Sequence, residues 1–189
     1  MHAAEPVSHV GRICRNHYTR QPTGVTTNKS EGMTNIKVGD PAPNFDLPGD
    51  GGTRVSLAAH RGDIVVLFFY PKDDTTACTT EAIDFSGLKP QFDALGVALI
   101  GISPDSAKKH DKFKAKHALT VTLAADEERT ALEAYGVWVE KSMYGRKYMG
   151  VERTTLLIDR EGRIARIWNK VKVRDHASEV LQAARELAT

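Results

Sequence analysis

The feature that most constrains the fold is an apolar run that ends in a proline and leads through a polar turn to a lone cysteine. Residues 64–70 are nearly all apolar, which is typical of a strand buried on both faces of a sheet. The turn after Pro71 reaches Cys78 three residues after Thr75, where helical spacing of apolar residues begins. The sequence therefore predicts a buried strand, a turn, and a helix with a cysteine at its start.

A cysteine at the start of a helix is typical of thiolate chemistry. The first turn of a helix has free N–H groups and a partial positive charge, and both favour the thiolate over the thiol. Because the thiolate is the nucleophile, Cys78 is the first candidate for a catalytic residue. The alternative is that a lone cysteine is inert core packing, which is common for this residue type.

The rest of the chain alternates between strand and helix patterns, so we predict an α/β fold with a mixed central sheet flanked by helices. Either Asp105 or Ser106 is the expected cap of the second helix, Asp126 that of the third and Asp175 that of the last. The predicted segments are a helix over 79–95, a strand over 97–102, a helix to 117, a short strand at 121–123, a helix to 135, a hairpin of 155–158 and 164–168, and a helix over 176–187.

Composition limits the class of protein. The chain has 189 residues, 41% of them hydrophobic, which suffices for one packed domain and a tail. No apolar run approaches the ~20 residues of a membrane span, so we expect no membrane partner. Residues 1–32 hold four basic and two acidic residues, and the remainder balances at 22 of each sign. The folded part therefore lacks the basic excess typical of a nucleic-acid-binding protein.

Residues 1–35 are polar and without period, so we predict a disordered N-terminal extension followed by a single domain over 36–189. The extension has no apolar segment of the secretory type. Its arginines are typical of an organelle targeting segment. Met33, however, directly precedes the sequence that looks globular, so the residues before it could be a start-site artefact, and both interpretations stay open. The two cysteines, Cys14 and Cys78, do not form a disulfide framework or a Cys-x-x-Cys motif, which favours a cytoplasmic location.

The residues around the cysteine resemble a known family. The segments from Phe69 to Thr75 and from Cys78 to Ala82 resemble the active-site segment of peroxiredoxins, and they are most similar to the peroxiredoxin Q group, also called bacterioferritin comigratory protein. The resemblance implies a thioredoxin-like fold and a thiol peroxidase, with no metal, flavin or haem cofactor. Matching segments in the same order are 39–45, 101–105, 143–145, 150–159 and 168–173, so the resemblance covers about residues 36–189.

The resemblance also implies roles for single residues. It gives the peroxidatic role to Cys78 and places Pro71, Thr75 and Arg153 in the pocket around it. Arg153 is always charged and offers several donors to the leaving oxygen, while the Thr75 hydroxyl can both donate and accept a hydrogen bond. Pro71 has no N–H that would compete for the thiolate, and its ring shields the site from water. We also expect Glu81 to pair with an arginine and fix its position.

The chain departs from the family pattern at the second cysteine. Many members of the group have a resolving cysteine five residues after the first, and here that position is Ile83. Another location used in the family, the helix around residues 131–135, has no cysteine either. We therefore expect a one-cysteine cycle in which an external thiol, such as thioredoxin, glutaredoxin or a small thiol, reduces the sulfenic acid of Cys78. The minority alternative is that Cys14 serves as the resolving residue.

Two other functions stay open at this point. The same cysteine could belong to a peroxide-sensing regulatory protein with little turnover, and the missing resolving cysteine slightly favours this reading. The chain could instead be an inactive thioredoxin-like interaction domain, which the intact set of Pro71, Thr75, Cys78 and Arg153 argues against. The resemblance suggests a monomer that acts on hydrogen peroxide and small organic hydroperoxides.

Overall fold

The computed structural model describes residues 36–189. The predicted disordered extension over 1–35, with Cys14, lies outside the described residues, so the domain boundary stays a prediction. The strands are β1 (Asp46–Pro48), β2 (Arg54–Ser56), β3 (Ile64–Phe69), β4 (Val97–Ser103), β5 (Thr122–Ala125), β6 (Trp138–Met143), β7 (Arg146–Val151), β8 (Thr154–Ile158) and β9 (Ile164–Trp168). The α-helices are α1 (Thr76–Ala94), α2 (Ala107–His117), α3 (Thr130–Ala134) and α4 (His176–Ala188).

A five-stranded mixed sheet forms the centre of the domain, with strand order β5-β4-β3-β8-β9. Strands β3, β4 and β5 run parallel, whereas β8 pairs antiparallel with β3 and β9 pairs antiparallel with β8. Strand β3 is buried along its whole length because it lies in the middle of the sheet. The predicted mixed sheet is confirmed, including the hairpin whose turn ends at Gly162 with a φ of 78°.

The two faces of β3 belong to two apolar clusters. Val66 and Phe68 lie in the cluster that includes residues of α1, α2 and α4. Leu67 and Phe69 lie in the other cluster, with residues of α3, β1 and β2. Successive side chains of a strand point to opposite faces, so one uninterrupted apolar run supplies both sides of the core. This packing fixes the carboxyl end of β3, from which the chain continues towards the cysteine.

The helix with the cysteine begins earlier than its apolar spacing predicts. The apolar spacing covers 79–95, whereas α1 spans Thr76–Ala94 with Thr75 as its N-cap residue, so the prediction of a cysteine at the start of this helix is confirmed. The helical residues before Thr79 are Thr76, Ala77 and Cys78, which are small and show no apolar period. As a result Cys78 lies inside the first turn of α1, where the backbone N–H groups have no acceptor within the helix.

The predicted caps agree with the structure only in part, because the N-cap residue of α3 is Arg129 and not Asp126. The Asp126 carboxylate accepts hydrogen bonds from the N–H groups of Thr130 and Leu132, so it supports the start of α3 from a distance. Ser106 and Asp175 are the N-cap residues of α2 and α4, but neither side chain makes a capping hydrogen bond.

Candidate active site

Cys78 is buried, with 2% of its surface exposed, in the first turn of α1. It belongs to the apolar cluster that joins the sheet to α1 and α4. Burial in such surroundings opposes a charged sulfur, so a thiolate here needs a nearby positive charge or hydrogen-bond donors. The start of α1 supplies donors and a partial positive charge.

A guanidinium supplies the full positive charge. The Arg153 Nη2 atom donates a hydrogen bond to the Cys78 Sγ atom at 3.1 Å. Arg153 comes directly before β8, and Thr154 at the start of β8 pairs with Phe69 at the end of β3. The backbone of Arg153 is fixed as well, because its carbonyl accepts from the N–H of Val171 at 3.0 Å. The sheet thus brings together two residues that are 75 positions apart.

Glu81 holds the other side of the same guanidinium. It lies one helical turn after Cys78, and its Oε2 atom accepts a hydrogen bond from Arg153 Nη1. Burial raises the pKa of Glu81 to about 7, although the Arg153 charge and hydrogen bond act in the opposite direction. Its Oε1 atom is buried and has no hydrogen-bond partner within residues 36–189, which is consistent with a carboxyl that readily holds a proton.

Arg153 itself stays charged in this arrangement. Burial lowers the pKa of Arg153, but the Glu81 carboxylate and the Cys78 sulfur act in the opposite direction, and the net shift is upward. The predicted pairing of Glu81 with an arginine is therefore present, and the arginine is the one predicted for the site. The single guanidinium contacts the sulfur with one nitrogen and the carboxylate with the other.

Pro71 and Thr75 lie in the turn that connects β3 to α1. Pro71 is half-buried, and Thr75 is exposed at the N-cap position of α1. The Thr75 hydroxyl donates to the carbonyl oxygen of Lys72 at 3.1 Å, and its own carbonyl accepts from the N–H of Thr79 at 2.8 Å. Both residues therefore lie in the one turn that leads into the helix of Cys78.

The same turn contains a buried polar group that our reading of the sequence missed. The Tyr70 hydroxyl donates to Asp73 Oδ1 at 2.8 Å, and His110 Nδ1 lies 2.8 Å from Asp73 Oδ2. His110 comes from the middle of α2, so nothing in the local sequence links it to the turn. The only signal in the sequence was a histidine at a buried helical position, which is usually assigned to the core.

A second buried histidine lies beside the site. His176 Nε2 is 2.8 Å from the Thr155 hydroxyl, and the ring stands edge-on to Phe85 and Trp168. Burial lowers the pKa of His176 to about 4, and the Arg153 charge contributes in the same direction while Glu179 opposes it. The ring is therefore neutral near neutral pH and adds no second charge beside Arg153.

The positions expected for a resolving cysteine hold other residues. Ile83 on α1 is 45% exposed, and α3 contains no cysteine. Cys78 is the free cysteine of the described residues. Within residues 36–189 there is no group of three or more His, Cys, Asp or Glu side chains that could hold a metal ion, and no helix is long and apolar enough to cross a membrane.

Comparisons with known proteins agree with this geometry. Residues 38–167 match the AhpC/TSA family. The chain is 48% identical over 153 residues to the peroxiredoxin Bcp of Bacillus subtilis (strain 168), and the alignment covers 81% of this chain and 98% of that protein. The chain belongs to the AhpC/TSA family of peroxiredoxins. This peroxiredoxin is also 50% identical over 146 residues to the putative peroxiredoxin bcp of Coxiella burnetii, covering 77% of this chain and 97% of the relative.

A solved structure gives the same result for the fold. The bacterioferritin comigratory protein of Xanthomonas campestris, studied for its alkyl peroxide reduction, is similar with a TM-score of 0.74 and 43% identity, covering 77% of this peroxiredoxin and 92% of that chain. The comparisons confirm the resemblance to the peroxiredoxin Q group, the thioredoxin-like fold and the class of enzyme, a thiol-dependent peroxidase.

Proposed function

We propose that Cys78 is the peroxidatic nucleophile and that it reduces hydrogen peroxide and small organic hydroperoxides. The observation that carries this proposal is the 3.1 Å hydrogen bond from the half-buried Arg153 guanidinium to the sulfur of a buried cysteine in the first turn of a helix. A permanent cation and the helix start favour the thiolate from two directions. Such reactive surroundings are uncommon for a cysteine that serves only as packing.

In the oxidative step the Cys78 thiolate attacks the distal oxygen of the hydroperoxide. The new S–O bond forms as the O–O bond breaks, so the sulfur is oxidised to sulfenic acid and the peroxide is reduced to an alkoxide or hydroxide. That leaving oxygen then takes a proton and departs as alcohol or water. Arg153 stabilises its developing charge as a preorganised donor, and Thr75 orients the peroxide with its hydroxyl. Pro71 limits access of water and offers no competing N–H.

The reductive step requires a thiol from outside the domain. A first thiol attacks the sulfenic sulfur and releases water, and a second thiol then reduces the mixed disulfide to regenerate Cys78. Ile83 occupies the family's usual resolving position, which favours the one-cysteine cycle over an internal disulfide. We propose thioredoxin, glutaredoxin or a small thiol as the reductant, in a monomeric cytoplasmic enzyme that contributes to antioxidant defence.

Stopped-flow oxidation of the reduced protein by hydrogen peroxide tests the first step, with Cys78→Ser as the matched control. We expect a fast second-order reaction that the variant loses. A rate constant no larger than that of a free thiol would contradict the proposal and favour an interaction domain. Turnover with a supplied thiol system then separates an enzyme from a peroxide sensor, because a sensor oxidises once and does not cycle.

Mass spectrometry under non-reducing conditions tests the source of the resolving thiol. After one equivalent of peroxide, the one-cysteine cycle predicts a sulfenic acid or a mixed disulfide at Cys78. A linkage between Cys14 and Cys78 would show instead that the N-terminal extension supplies the second thiol.

A further inference from the structure

A buried network fixes the turn that precedes the peroxidatic cysteine. Asp73 and His110 are 1% and 0% exposed, and Asp73 Oδ2 lies 2.8 Å from His110 Nδ1. The Tyr70 hydroxyl donates to the other carboxylate oxygen at 2.8 Å. A carboxylate in the core is strongly unfavourable unless it is paired and hydrogen-bonded, so this pair must form as the domain folds.

The network joins three elements of the fold at Asp73. The backbone N–H of Asp73 donates to Asp105 Oδ2 at 2.6 Å, just before α2 begins. On the far side of the ring, His110 Nε2 faces the carbonyl oxygen of Ala124 in β5 at 3.3 Å. Both ring nitrogens therefore lie within hydrogen-bond distance of an oxygen acceptor. The turn is thus tied to α2 and β5 through one side chain.

The end of α2 holds the next residue of the same turn. Asp74 has a φ of 60°, and its carboxylate accepts from Lys116 Nζ at 2.8 Å and lies 2.9 Å from His117 Nε2. Asp74 and Lys116 are exposed, so this contact is weaker than the buried pair. Helix α2 therefore holds the turn at two successive residues, and the buried contact through His110 provides most of the constraint.

We propose that His110 is a positioning residue for the peroxidatic site, and this inference rests on the proposed function. Through Asp73 it fixes the turn that carries Pro71 and Thr75 towards Cys78, although it does not itself touch the peroxide. Replacement of a buried ion pair by an apolar pair of similar volume is often neutral for stability, so stability alone does not explain this pair. An apolar pair would lack directional hydrogen bonds, and the turn would then sample positions in which Thr75 no longer faces the reacting oxygen.

Three variants of α2 test the proposal. His110→Asn keeps one donor near the Nδ1 position, His110→Phe removes both ring nitrogens, and Phe113→Leu removes core packing from the same helix without removing either member of the pair. For each folded variant we would measure the second-order rate constant for Cys78 oxidation by hydrogen peroxide, amide hydrogen exchange in peptides covering residues 70–77, and thermal stability. The exchange experiment needs no catalysis.

We expect His110→Phe to raise exchange over 70–77 and to slow oxidation by about 10-fold or more. His110→Asn should restore most of the rate, while Phe113→Leu should lower stability and leave both the rate and the exchange over 70–77 unchanged. Unchanged rate and exchange in His110→Phe would overturn the proposal, as would equal effects of Phe113→Leu. If His110→Phe does not fold, Asp73→Asn decides by the same readouts. A wild-type protein without peroxide reactivity would refute the proposed function and leave the exchange result to judge the positioning.

Discussion

At the scale of single residues, one guanidinium connects the two groups that define the site. Arg153 donates to the Cys78 sulfur with one nitrogen and to the Glu81 carboxylate with the other. A planar guanidinium can make both contacts in a fixed geometry, whereas an ammonium is a point charge on a flexible stem. The buried carboxylate therefore keeps the cation beside the Cys78 sulfur, which is where the proposed mechanism needs a positive charge.

This argument predicts that Arg153→Lys slows oxidation of Cys78 although it keeps the positive charge. We expect a loss of about 10²-fold in the second-order rate constant, the magnitude typical of removing one preorganised donor from a reacting oxygen. Stopped-flow oxidation by hydrogen peroxide measures it. The control is Arg166→Lys, since Arg166 is an exposed arginine that pairs with Glu179. Equal rates for the two variants would show that charge alone suffices.

Glu81 predicts a pH dependence of stability. Its pKa rises from 4.5 to about 7 in the folded chain because burial disfavours the ionised form. Between these two values the native state holds a proton that the unfolded chain has lost, so the contribution of Glu81 to the free energy of unfolding falls as pH rises. As pH rises from 4.5 to about 7, the free energy of unfolding of the wild type should therefore fall by up to about 3 kcal/mol relative to that of Glu81→Gln.

Urea denaturation of both proteins across that window measures the difference. The Gln variant also lacks the ionic contact with Arg153, which shifts its stability at every pH. The prediction therefore concerns only how the stability difference between the two proteins changes with pH. Parallel pH profiles for the two proteins would contradict the raised pKa.

At the scale of elements, helix α1 decides whether an internal disulfide can form. Cys78 and Ile83 are five residues apart on one continuous helix, which places their Cα atoms about 8–9 Å apart. A disulfide requires less than about 7 Å, so a cysteine at position 83 could bridge to Cys78 only if α1 unwinds locally. The exposed position of Ile83 leaves room for that movement.

We therefore predict that Ile83→Cys forms a disulfide with Cys78 after one equivalent of peroxide, together with a loss of helix. Non-reducing mass spectrometry detects the bond, and far-ultraviolet circular dichroism detects the lost turns. The same substitution combined with Cys78→Ser should show neither change. A disulfide without loss of helical signal would contradict the geometric argument.

The elements that could be predicted from the sequence are those marked by a pattern of apolar residues within the element itself. The apolar run of β3 and the helical spacing of α1 each specify an element without help from distant residues. The hairpin of β6 and β7 was not predicted, because both its faces are largely exposed and no clear alternation results. The Tyr144–Gly145 pair at its tip, with φ values of 51° and 77°, was the local signal for it.

The candidate site was predictable only in part, since its contacts are long-range. The position of Cys78 followed from the strand, turn and helix pattern. The assignment of Arg153 came from resemblance, because 75 residues separate it from the sulfur and only the pairing of β3 with β8 brings them together. The contact of His110 with Asp73 joins residues 37 positions apart, and no periodicity within α2 indicates it.

At the scale of the whole molecule, the central sheet brings the Cys78 sulfur and the Arg153 guanidinium together. The described residues contain no second thiol beside them. The turn after β3 leads into the helix that holds Cys78, the residue just before β8 supplies the guanidinium, and α2 contacts the turn. In the proposed one-cysteine cycle such a site favours rapid oxidation of Cys78, and its sulfenic acid then waits for a thiol that arrives by diffusion. The lifetime of this intermediate determines what happens at high peroxide.

We predict that the protein is inactivated by excess peroxide through oxidation of Cys78 to sulfinic acid. A sulfenic acid with no neighbouring thiol remains exposed to a second peroxide, and sulfinic acid is not reduced by ordinary thiols. Mass spectrometry of Cys78 during turnover should show a gain of two oxygen atoms that increases with peroxide, in parallel with loss of activity. Ile83→Cys should resist this inactivation, because a thiol on the same helix converts the sulfenic acid into a disulfide first. Persistent activity of the wild type over many turnovers at high peroxide, with the thiol system present, would mean that the external thiol reaches Cys78 faster than a second peroxide does.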